Sequence, residues 1–232
     1  MINRINHCVY SNDYIDKSQY GFTPQLSTID AVMAVKYFVE GGFSSGEVAT
    51  LVSLDVEGAF ISACWPNILK SFKESGCSRN LYNLTMSYFS QRQATLQTNN
   101  IRLETEVTKG CPQRSSCCPG LWNLQYNSFL NLNYTNRTKA TAFADDLIIV
   151  TRGKQREKQK TANIELSKIF SWAKDNKIRF NEQKSKAILL TRRKRRERKE
   201  LEIYLNYKPL MQVNNLKYLG IILDSKLNFR IM

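Results

Sequence analysis

Two adjacent carboxylates, Asp145 and Asp146, are the residues of this 232-residue chain with the most evident chemical potential. They stand between the mostly apolar stretch 141–144 and the aliphatic run 147–150. An apolar run of this length is typical of a buried strand, and Asp-Asp in its middle is typical of a tight turn. The stretch therefore predicts a β-hairpin with both acids at its tip. A lone pair of aspartates, however, is often no more than a good turn sequence.

A third carboxylate, Asp55, ends a second apolar strand that covers residues 51–54. An acid at the end of one strand and two acids on a neighbouring hairpin can converge on one edge of a sheet. Three converging carboxylates repel one another and are costly to desolvate unless a divalent cation lies between them. Two hard cations roughly 3.5–4 Å apart can stabilise the attacking and the leaving oxygen of a phosphoryl displacement. The pattern therefore indicates metal-dependent phosphoryl transfer.

Six short sequence motifs can be picked out along the chain, and we call them boxes. In chain order they are residues 19–24 with 27–28, then 54–60, 109–113, 143–146, 181–184 and 218–224. In composition and order they resemble the boxes of reverse transcriptases, among them Leu-Asp-x-x-x-Ala-Phe at 54–60 and Phe-Ala-Asp-Asp at 143–146. The nearest resemblance is to non-LTR (LINE-type) retrotransposon polymerases, in the branch with the jockey elements and the elements that insert into ribosomal genes.

This resemblance implies an RNA-directed DNA polymerase. The reaction would be attack of a primer 3′-hydroxyl on the α-phosphate of a deoxynucleoside triphosphate, with release of pyrophosphate. Asp55, Asp145 and Asp146 would hold two Mg²⁺ ions, or Mn²⁺ in their place, because hard cations prefer oxygen ligands. The implied partners are an RNA template, a DNA primer, the nucleotide and the rest of a retrotransposon polyprotein.

Four further residues receive a substrate-binding role only through the resemblance: Val56, Phe60, Gln113 and Lys184. Phe60 would lie under the incoming sugar, where a rigid ring leaves no room for a 2′-hydroxyl. Gln113 would contact the nucleotide, and Lys184 would neutralise or protonate the leaving pyrophosphate. Ordinary core packing of Phe60 and an ordinary surface position of Lys184 are the alternatives.

Two features indicate contact with nucleic acid. Tyr218, Leu219 and Gly220 resemble the primer grip, a hairpin that holds the primer end by shape and backbone contact. The net charge is +14, and residues 151–200 contain 18 Lys/Arg against 6 Asp/Glu, a difference of +12. Phosphates release counterions when such a surface neutralises them. The basic run 192–199 is predicted to be a hairpin loop that is a nuclear-localisation signal, a phosphate contact or simply a solvated loop.

The remaining composition disfavours other classes of site. Six cysteines form no CxxC pair, and the cluster Cys111, Cys117 and Cys118 has only His7, far away in sequence, as an imidazole companion. A zinc site is therefore the alternative rather than the expectation, and a His-based triad is disfavoured. No segment approaches the roughly 18 apolar residues of a membrane helix. No secretory signal opens the chain. We expect an intracellular protein, in the nucleus where target-site priming would occur, with the cytoplasm as the alternative.

A mixed α+β domain must position these residues, since hairpins outnumber βαβ units. The resemblance specifies a right-hand polymerase palm with partial fingers, an antiparallel sheet packed on helices, and no thumb. We expect partial fingers in 1–46, the palm with its carboxylates in 47–190, and the basic loop and primer-grip-like hairpin in 191–232. Together they would form one contiguous domain, truncated at both ends.

Local patterns predict individual elements. A helix capped by Ser27 or Thr28 should end at Gly41-Gly42, with residues 29, 32, 33 and 37 at helical spacing. Further helices are expected over 66–74, 79–90, 115–131 and 157–177, the last burying residues 164, 169, 170 and 172. A hairpin is expected over 94–98 and 101–108, and strands are expected over 48–55, 186–191, 201–206 and 216–223.

Two positions depart from the reverse transcriptase pattern. Arg114 stands where the family has a glycine that allows close backbone approach. Ile61 stands where close relatives commonly have aspartate. A catalytically inactive, nucleic-acid-binding remnant of such an element is therefore the alternative to an active polymerase.

Overall fold

The computed structural model describes residues 2–11, 13–99, 101–111, 115–154, 157–192 and 201–231. The chain forms two compact units: Met1–Ile15 with Gly58–Ser128, and Asp16–Glu57 with Phe129–Met232. We call them the first unit and the second unit. In the described part of the chain, no helix is both long enough and apolar enough to span a membrane.

The elements are listed here in chain order. The helices are α1 (Ile2–Ser11), α2 (Thr28–Ser44), α3 (Trp65–Glu74), α4 (Arg79–Phe89), α5 (Cys118–Leu130) and α6 (Lys158–Asp175). The strands are β1 (Val48–Leu54), β2 (Gln93–Gln97), β3 (Arg102–Glu106), β4 (Thr138–Phe143), β5 (Asp146–Gly153), β6 (Lys186–Leu190), β7 (Tyr204–Leu205), β8 (Lys208–Pro209), β9 (Met211–Gln212), β10 (Asn215–Tyr218), β11 (Ile221–Asp224) and β12 (Phe229–Ile231).

A five-stranded sheet is the centre of the second unit. Its strand order is β4-β5-β1-β6-β9, and all neighbours are antiparallel except β6 and β9. The central strands β1 and β5 are mostly apolar and buried, as expected for strands that are covered on both faces. On one face, Val35 and Val39 of α2 join Leu51, Ile148 and other buried residues of β1, β5 and β6 in one core cluster. Helix α6 also packs against β1 and β5.

Helix α2 confirms the predicted start and corrects the predicted end and buried face. Ser27 caps it in a capping box with Asp30. The helix runs through Gly41 and Gly42 to Ser44 because glycine costs only about 1 kcal/mol in a helix. At Gly42 a Cβ would lie 2.8 Å from the Arg152 side chain, which packs across this turn. The buried stripe is 32, 35 and 39, whereas the predicted residues Ile29 and Tyr37 are 66% and 65% exposed.

Helix α6 confirms two of its four predicted core residues. Ile169 and Trp172 are buried, but Ile164 is exposed and Phe170 is only half-buried. The buried face includes Glu165, which a hydrophobic pattern cannot predict. Its carboxylate accepts hydrogen bonds from the Thr135 amide at 3.0 Å and the Thr138 hydroxyl at 3.3 Å, and it pairs with Lys168 at 2.9 Å.

The C-terminal strands are shorter and more divided than the sequence predicts. The single strand expected over 216–223 is a hairpin, β10 and β11, that turns at Leu219 and Gly220, both with positive φ. Of the strand expected over 201–206, only β7 forms. Asn206 and Tyr207 then turn the chain with φ of 51° and 61°. These breaks occur where the backbone enters the left-handed region, which a count of apolar residues does not reveal.

The first unit consists of α1, α3, α4, most of α5 and the ribbon of β2 and β3. The predicted helices over 66–74, 79–90 and 115–131 and the predicted hairpin over 94–108 are confirmed. Pro66 begins α3, and Gly76 with φ of 75° follows its end. Trp65 stacks on Phe89 at a centroid distance of 5.0 Å and donates its indole hydrogen bond to the carbonyl of Gly110.

Candidate active site

The Asp145–Asp146 pair lies at the tip of the β4–β5 hairpin, as predicted. Phe143 and Asp146 are the last cross-strand pair, so Ala144 and Asp145 form a two-residue turn. Ala144 has a φ of 57°, an unfavourable conformation for a residue with a Cβ. Tertiary contacts must therefore stabilise this turn.

The segment 18–21 supplies those contacts. The Tyr20 amide donates to the Ala142 carbonyl at 2.8 Å, and the Ala142 amide donates to the Ser18 carbonyl at 3.0 Å. Gly21 then passes directly against the turn: a Cβ at this position would lie 2.1 Å from the Ala144 nitrogen. Only glycine allows this approach.

Asp55 follows β1 at the same edge of the sheet. Leu54 of β1 pairs with Leu147 of β5. Because the two strands are antiparallel, one step further toward this edge places Asp55 beside Asp146. The Asp55 amide donates to the Ser185 hydroxyl at 3.0 Å, and its carbonyl accepts from the Asn181 amide at 2.8 Å. The structure therefore brings the strand-end acid and the hairpin acids together.

The electrostatics of the edge agree with this arrangement. Partial burial raises the pKa of Asp146 above its usual value, and the charges of Asp145 and then Asp55 raise it further. The Asp146 residue as a whole is exposed, so water screens part of this repulsion. Mutual repulsion among three carboxylates is the situation that a divalent cation relieves.

No three His, Cys, Asp or Glu side chains among the described residues are close enough to hold a metal ion by themselves. Mg²⁺ commonly takes one or two carboxylates and completes its shell with water and substrate phosphates, so the acid pair suits it without a closed protein cage.

The zinc alternative gains no support. The thiols of Cys111 and Cys118 are hydrogen-bonded to each other. This bond lowers the pKa of the Cys118 thiol, and the same bond together with burial raises the pKa of the Cys111 thiol.

Lys184 lies in a tight turn beside Asp55. The Asn181 side-chain oxygen accepts hydrogen bonds from the Gln183 and Lys184 amides at 3.0 and 3.1 Å. The Lys184 side chain is exposed. Val56, also a predicted substrate contact, forms a bridge with Phe180 at the other end of the same turn. The predicted neighbours of the acids are thus near them in space.

Tyr218, Leu219 and Gly220 form the turn between β10 and β11, also in the second unit. Tyr218 is buried in the core cluster that covers the sheet. Burial, and then the negative charge of Asp146, raise the pKa of its hydroxyl above the usual value. The primer-grip-like turn and the acids therefore interact electrostatically.

Phe60 belongs to the first unit, in a short 3₁₀ turn, where its ring packs against Trp122 with the centroids 4.7 Å apart. Gln113 and Arg114 lie outside the described residues, as does the basic run after Arg192.

Sequence reasoning missed two residues that hold the acids. Ser185 follows Lys184, and nothing in its local pattern indicates a contact with Asp55, 130 positions away. Gly21 lies inside the box at 19–24, and a glycine between two aromatic residues was the available signal.

Comparison with known proteins agrees with this geometry. Residues 1–223 match the reverse transcriptase (RNA-dependent DNA polymerase) family. The chain belongs to this family. The reverse transcriptase chain is 30% identical, over 91% of its length, to a Pol polyprotein of the retrotransposable element R1 from Bradysia coprophila, and covers 21% of that protein. It is 26% identical, over 99% of its length, to the polymerase of the mobile element jockey from Drosophila funebris, and covers 25% of it.

The reverse transcriptase fold is also found in solved structures. The chain superposes on apo telomerase from Candida tropicalis, truncated from its C-terminal domain, with a TM-score of 0.69 and 12% identity. The match covers 99% of this chain and 44% of the telomerase. Telomerase from Candida albicans, in complex with a fragment of telomeric RNA, gives a TM-score of 0.63 and 12% identity over 100% of this chain and 37% of that one. The fold is that of a right-hand polymerase.

These comparisons confirm the predicted family and fold class. The chain is a reverse transcriptase domain of the non-LTR retrotransposon type. It spans about a fifth of the R1 proteins of Bradysia coprophila and Drosophila melanogaster. The division into 1–46, 47–190 and 191–232 and the roles of individual site residues stay predictions.

Proposed function

We propose that this reverse transcriptase domain adds deoxynucleotides to a DNA primer on an RNA template. The observation that carries the proposal is the sheet edge itself: Asp55 is next to Asp146 in the β1–β5 register, and Asp145 occupies the adjoining turn. Carboxylates arranged in this way suit metal-assisted displacement at phosphorus. Positioning and charge stabilisation provide most of the catalysis in that chemistry.

Asp55, Asp145 and Asp146 are the proposed ligands of two Mg²⁺ ions, with Mn²⁺ as a substitute. The fit rests on the strand register, which brings three oxygen-donor side chains to one edge of the sheet. Burial and then the charges of Asp145 and Asp55 raise the pKa of Asp146, as expected for carboxylates that lie close together. When bound, such ions neutralise the charge that develops on the transferred phosphoryl group. The chain itself must hold the three carboxylates rigidly and keep them ionised.

The remaining site residues would orient the substrates. Lys184 belongs to the turn that holds the Asp55 backbone, and its side chain is exposed. Its ammonium would neutralise or protonate the leaving pyrophosphate. Tyr218, Leu219 and Gly220 would hold the primer end through shape and backbone contact.

Three further residues, Val56, Phe60 and Gln113, are proposed contacts of the incoming nucleotide. The partners would be the RNA template, the primer and the remainder of a longer polyprotein, and the site of action would be the nucleus. The excess of 18 basic over 6 acidic residues in 151–200 supports a nucleic-acid partner.

Primer extension tests the proposal. The purified chain is incubated with an RNA template, a DNA primer, deoxynucleotides and Mg²⁺, in the wild-type form and as Asp145→Asn and Asp175→Asn. Asp175 is an exposed aspartate at the end of α6 and serves as the matched control for loss of one charge. We expect extension by the wild type and the control, and a loss of at least about a hundredfold in Asp145→Asn. Salt-sensitive binding of the template without any extension would instead identify an inactive remnant.

A further inference from the structure

Ser185 is a buried residue to which neither the family pattern nor the proposed chemistry gives a role. It lies immediately before β6, with an exposure of 0%. Its hydroxyl accepts a hydrogen bond from the Asp55 amide at 3.0 Å and donates one to the Asn181 carbonyl at 2.7 Å. A single side-chain oxygen thus joins the backbone of an acid to that of a distant turn.

The Ser185 hydroxyl takes over where the strand pairing ends. The β1–β6 ladder stops at the pair Ser53 and Lys186, so this ladder provides no partner for the Asp55 amide. The hydroxyl provides it, and the Asn181 amide provides a partner for the Asp55 carbonyl at 2.8 Å. Both backbone polar groups of Asp55 are therefore held by the turn 181–185.

That turn also presents Lys184. Its amide is bonded to the Asn181 side chain, and the same side chain holds the Gln183 amide, so the backbone that precedes Ser185 is fixed. From outside, Glu182 accepts hydrogen bonds from Asn206 at 2.9 Å and Lys208 at 3.4 Å. Asp55 and Lys184 therefore share one support, which the Ser185 hydroxyl and the Asn181 amide both join to the Asp55 backbone.

We propose that Ser185 is a positioning residue for the polymerase reaction: its hydroxyl fixes the Asp55 backbone relative to the Lys184 turn. The inference rests on the proposed function, because it assigns Ser185 a part in that same site. A hydroxyl needed only for its own turn would be satisfied by the Asn181 carbonyl alone. Because of the additional bond to Asp55, removal of the hydroxyl takes away the hydrogen-bond acceptor of a partly buried amide.

Amide hydrogen exchange, measured by NMR on the full chain, tests the link without relying on activity. The variants are Ser185→Ala, which removes the hydroxyl, and Ser185→Thr, which restores it. The matched control is Ser75→Ala, which removes a buried hydroxyl bonded to the Phe72 carbonyl in the first unit. We expect the Asp55 amide to exchange at least about tenfold faster in Ser185→Ala. It should return toward the wild-type rate in Ser185→Thr and stay unchanged in Ser75→Ala.

The amide of Val52, in the middle of β1, reports whether the sheet itself is intact, and it should keep its protection in all variants. An unchanged Asp55 exchange rate in Ser185→Ala would overturn the proposal, as would equal loss of protection at Asp55 and Val52. If Ser185→Thr fails to fold, the comparison of Ser185→Ala with Ser75→Ala still decides the result.

Primer extension with the same variants supplies the catalytic readout. We expect kcat to fall about tenfold in Ser185→Ala with the nucleotide KM within about twofold, because a displaced acid affects the transition state more than nucleotide binding. A fall no larger than that of Ser75→Ala would overturn the catalytic part. If the wild type extends no primer, the polymerase proposal fails, whereas the exchange experiment still decides whether Ser185 holds Asp55.

Discussion

The Gly21→Ala substitution is the sharpest test of how the acid-bearing turn is held. A Cβ at this position would lie 2.1 Å from the Ala144 nitrogen and 2.7 Å from the Phe143 carbonyl carbon, both backbone atoms. Because real Cβ atoms essentially never approach closer than 3.0 Å, the two segments must separate by at least 0.9 Å. Two hydrogen bonds between Ala142 and residues 18 and 20 resist that separation.

The expected effect of Gly21→Ala has two parts. If the two hydrogen bonds to Ala142 break, their loss should lower the free energy of unfolding by about 2 kcal/mol. If they persist, the turn that contains Asp145 must move by about 1 Å, which can reduce a catalytic rate about a hundredfold. Urea unfolding measures the first effect, and single-turnover primer extension measures the second.

Gly41→Ala is the matched control, since a Cβ there meets only the end of the Arg152 side chain at 3.0 Å. It should leave extension within about twofold of the wild type, because a flexible side chain can move aside. The free energy of unfolding should stay the same or rise by up to about 1 kcal/mol, because alanine replaces a glycine inside α2. Gly21→Ala with wild-type stability and wild-type extension would refute the proposed role of this close approach. Where the wild type is itself inactive, the unfolding measurement alone decides.

Three further predictions concern stability. Asp146→Asn should raise the Tm of the metal-free chain at pH 7 but not at pH 3. The folded-state pKa of Asp146 is raised, so the wild type loses stability as the pH rises from 3.8 through that pKa, and asparagine avoids this loss. Thermal unfolding in the presence of a chelator checks this, and a larger gain at pH 3 would contradict it. Glu165→Ala should lower the free energy of unfolding by about 3 kcal/mol in urea titrations, because it removes a fully buried carboxylate that accepts hydrogen bonds from the Thr135 amide and the Thr138 hydroxyl and pairs with Lys168. A change below about 1 kcal/mol would show that this network is dispensable. Tyr207→Gly should increase stability by about 0.5–1 kcal/mol, because Tyr207 is 92% exposed and has a φ of 61°, and a loss of stability would mean that its contact with Phe170 outweighs the backbone strain.

The elements that the sequence predicts well are those with local signals. The hairpin at Asp145 and Asp146 combines a turn sequence with flanking apolar strands, and α3 combines Pro66 at its start with Gly76 after its end. Each of these signals acts on the backbone within a few residues, so no knowledge of the tertiary structure is needed.

The errors arise where tertiary packing selects between two local alternatives. Helix α2 has apolar residues on two faces, and the stripe 32, 35 and 39 is buried because the sheet lies against it. Its glycines do not end it, because they accommodate the Arg152 side chain. In α6, Glu165 takes a core position because its carboxylate accepts hydrogen bonds from the Thr135 amide and the Thr138 hydroxyl and pairs with Lys168.

The candidate site shows the same division. The three acids could be identified because Asp55 follows an apolar strand and Asp145 and Asp146 stand at the turn between two apolar strands, and the sheet register then places them together. Gly21 and Ser185, which hold them, act through contacts with Ala144 and Asp55 that lie far away in sequence. The sequence offers only a weak signal for Gly21, a glycine between two aromatic residues, and none for Ser185.

The central claim is that Asp55 and the hairpin acids form one cation site, and Mn²⁺ binding followed by electron paramagnetic resonance tests it most directly. Metal-free wild type, Asp55→Asn, Asp145→Asn and the control Asp175→Asn are titrated with Mn²⁺ in the absence of nucleic acid. We predict saturable binding to the wild type and the control, weakened at least about tenfold in both Asp55→Asn and Asp145→Asn, because each removes a ligand of the same ion. Asp55→Asn with wild-type affinity, or wild-type protein that binds no Mn²⁺, would contradict the claim.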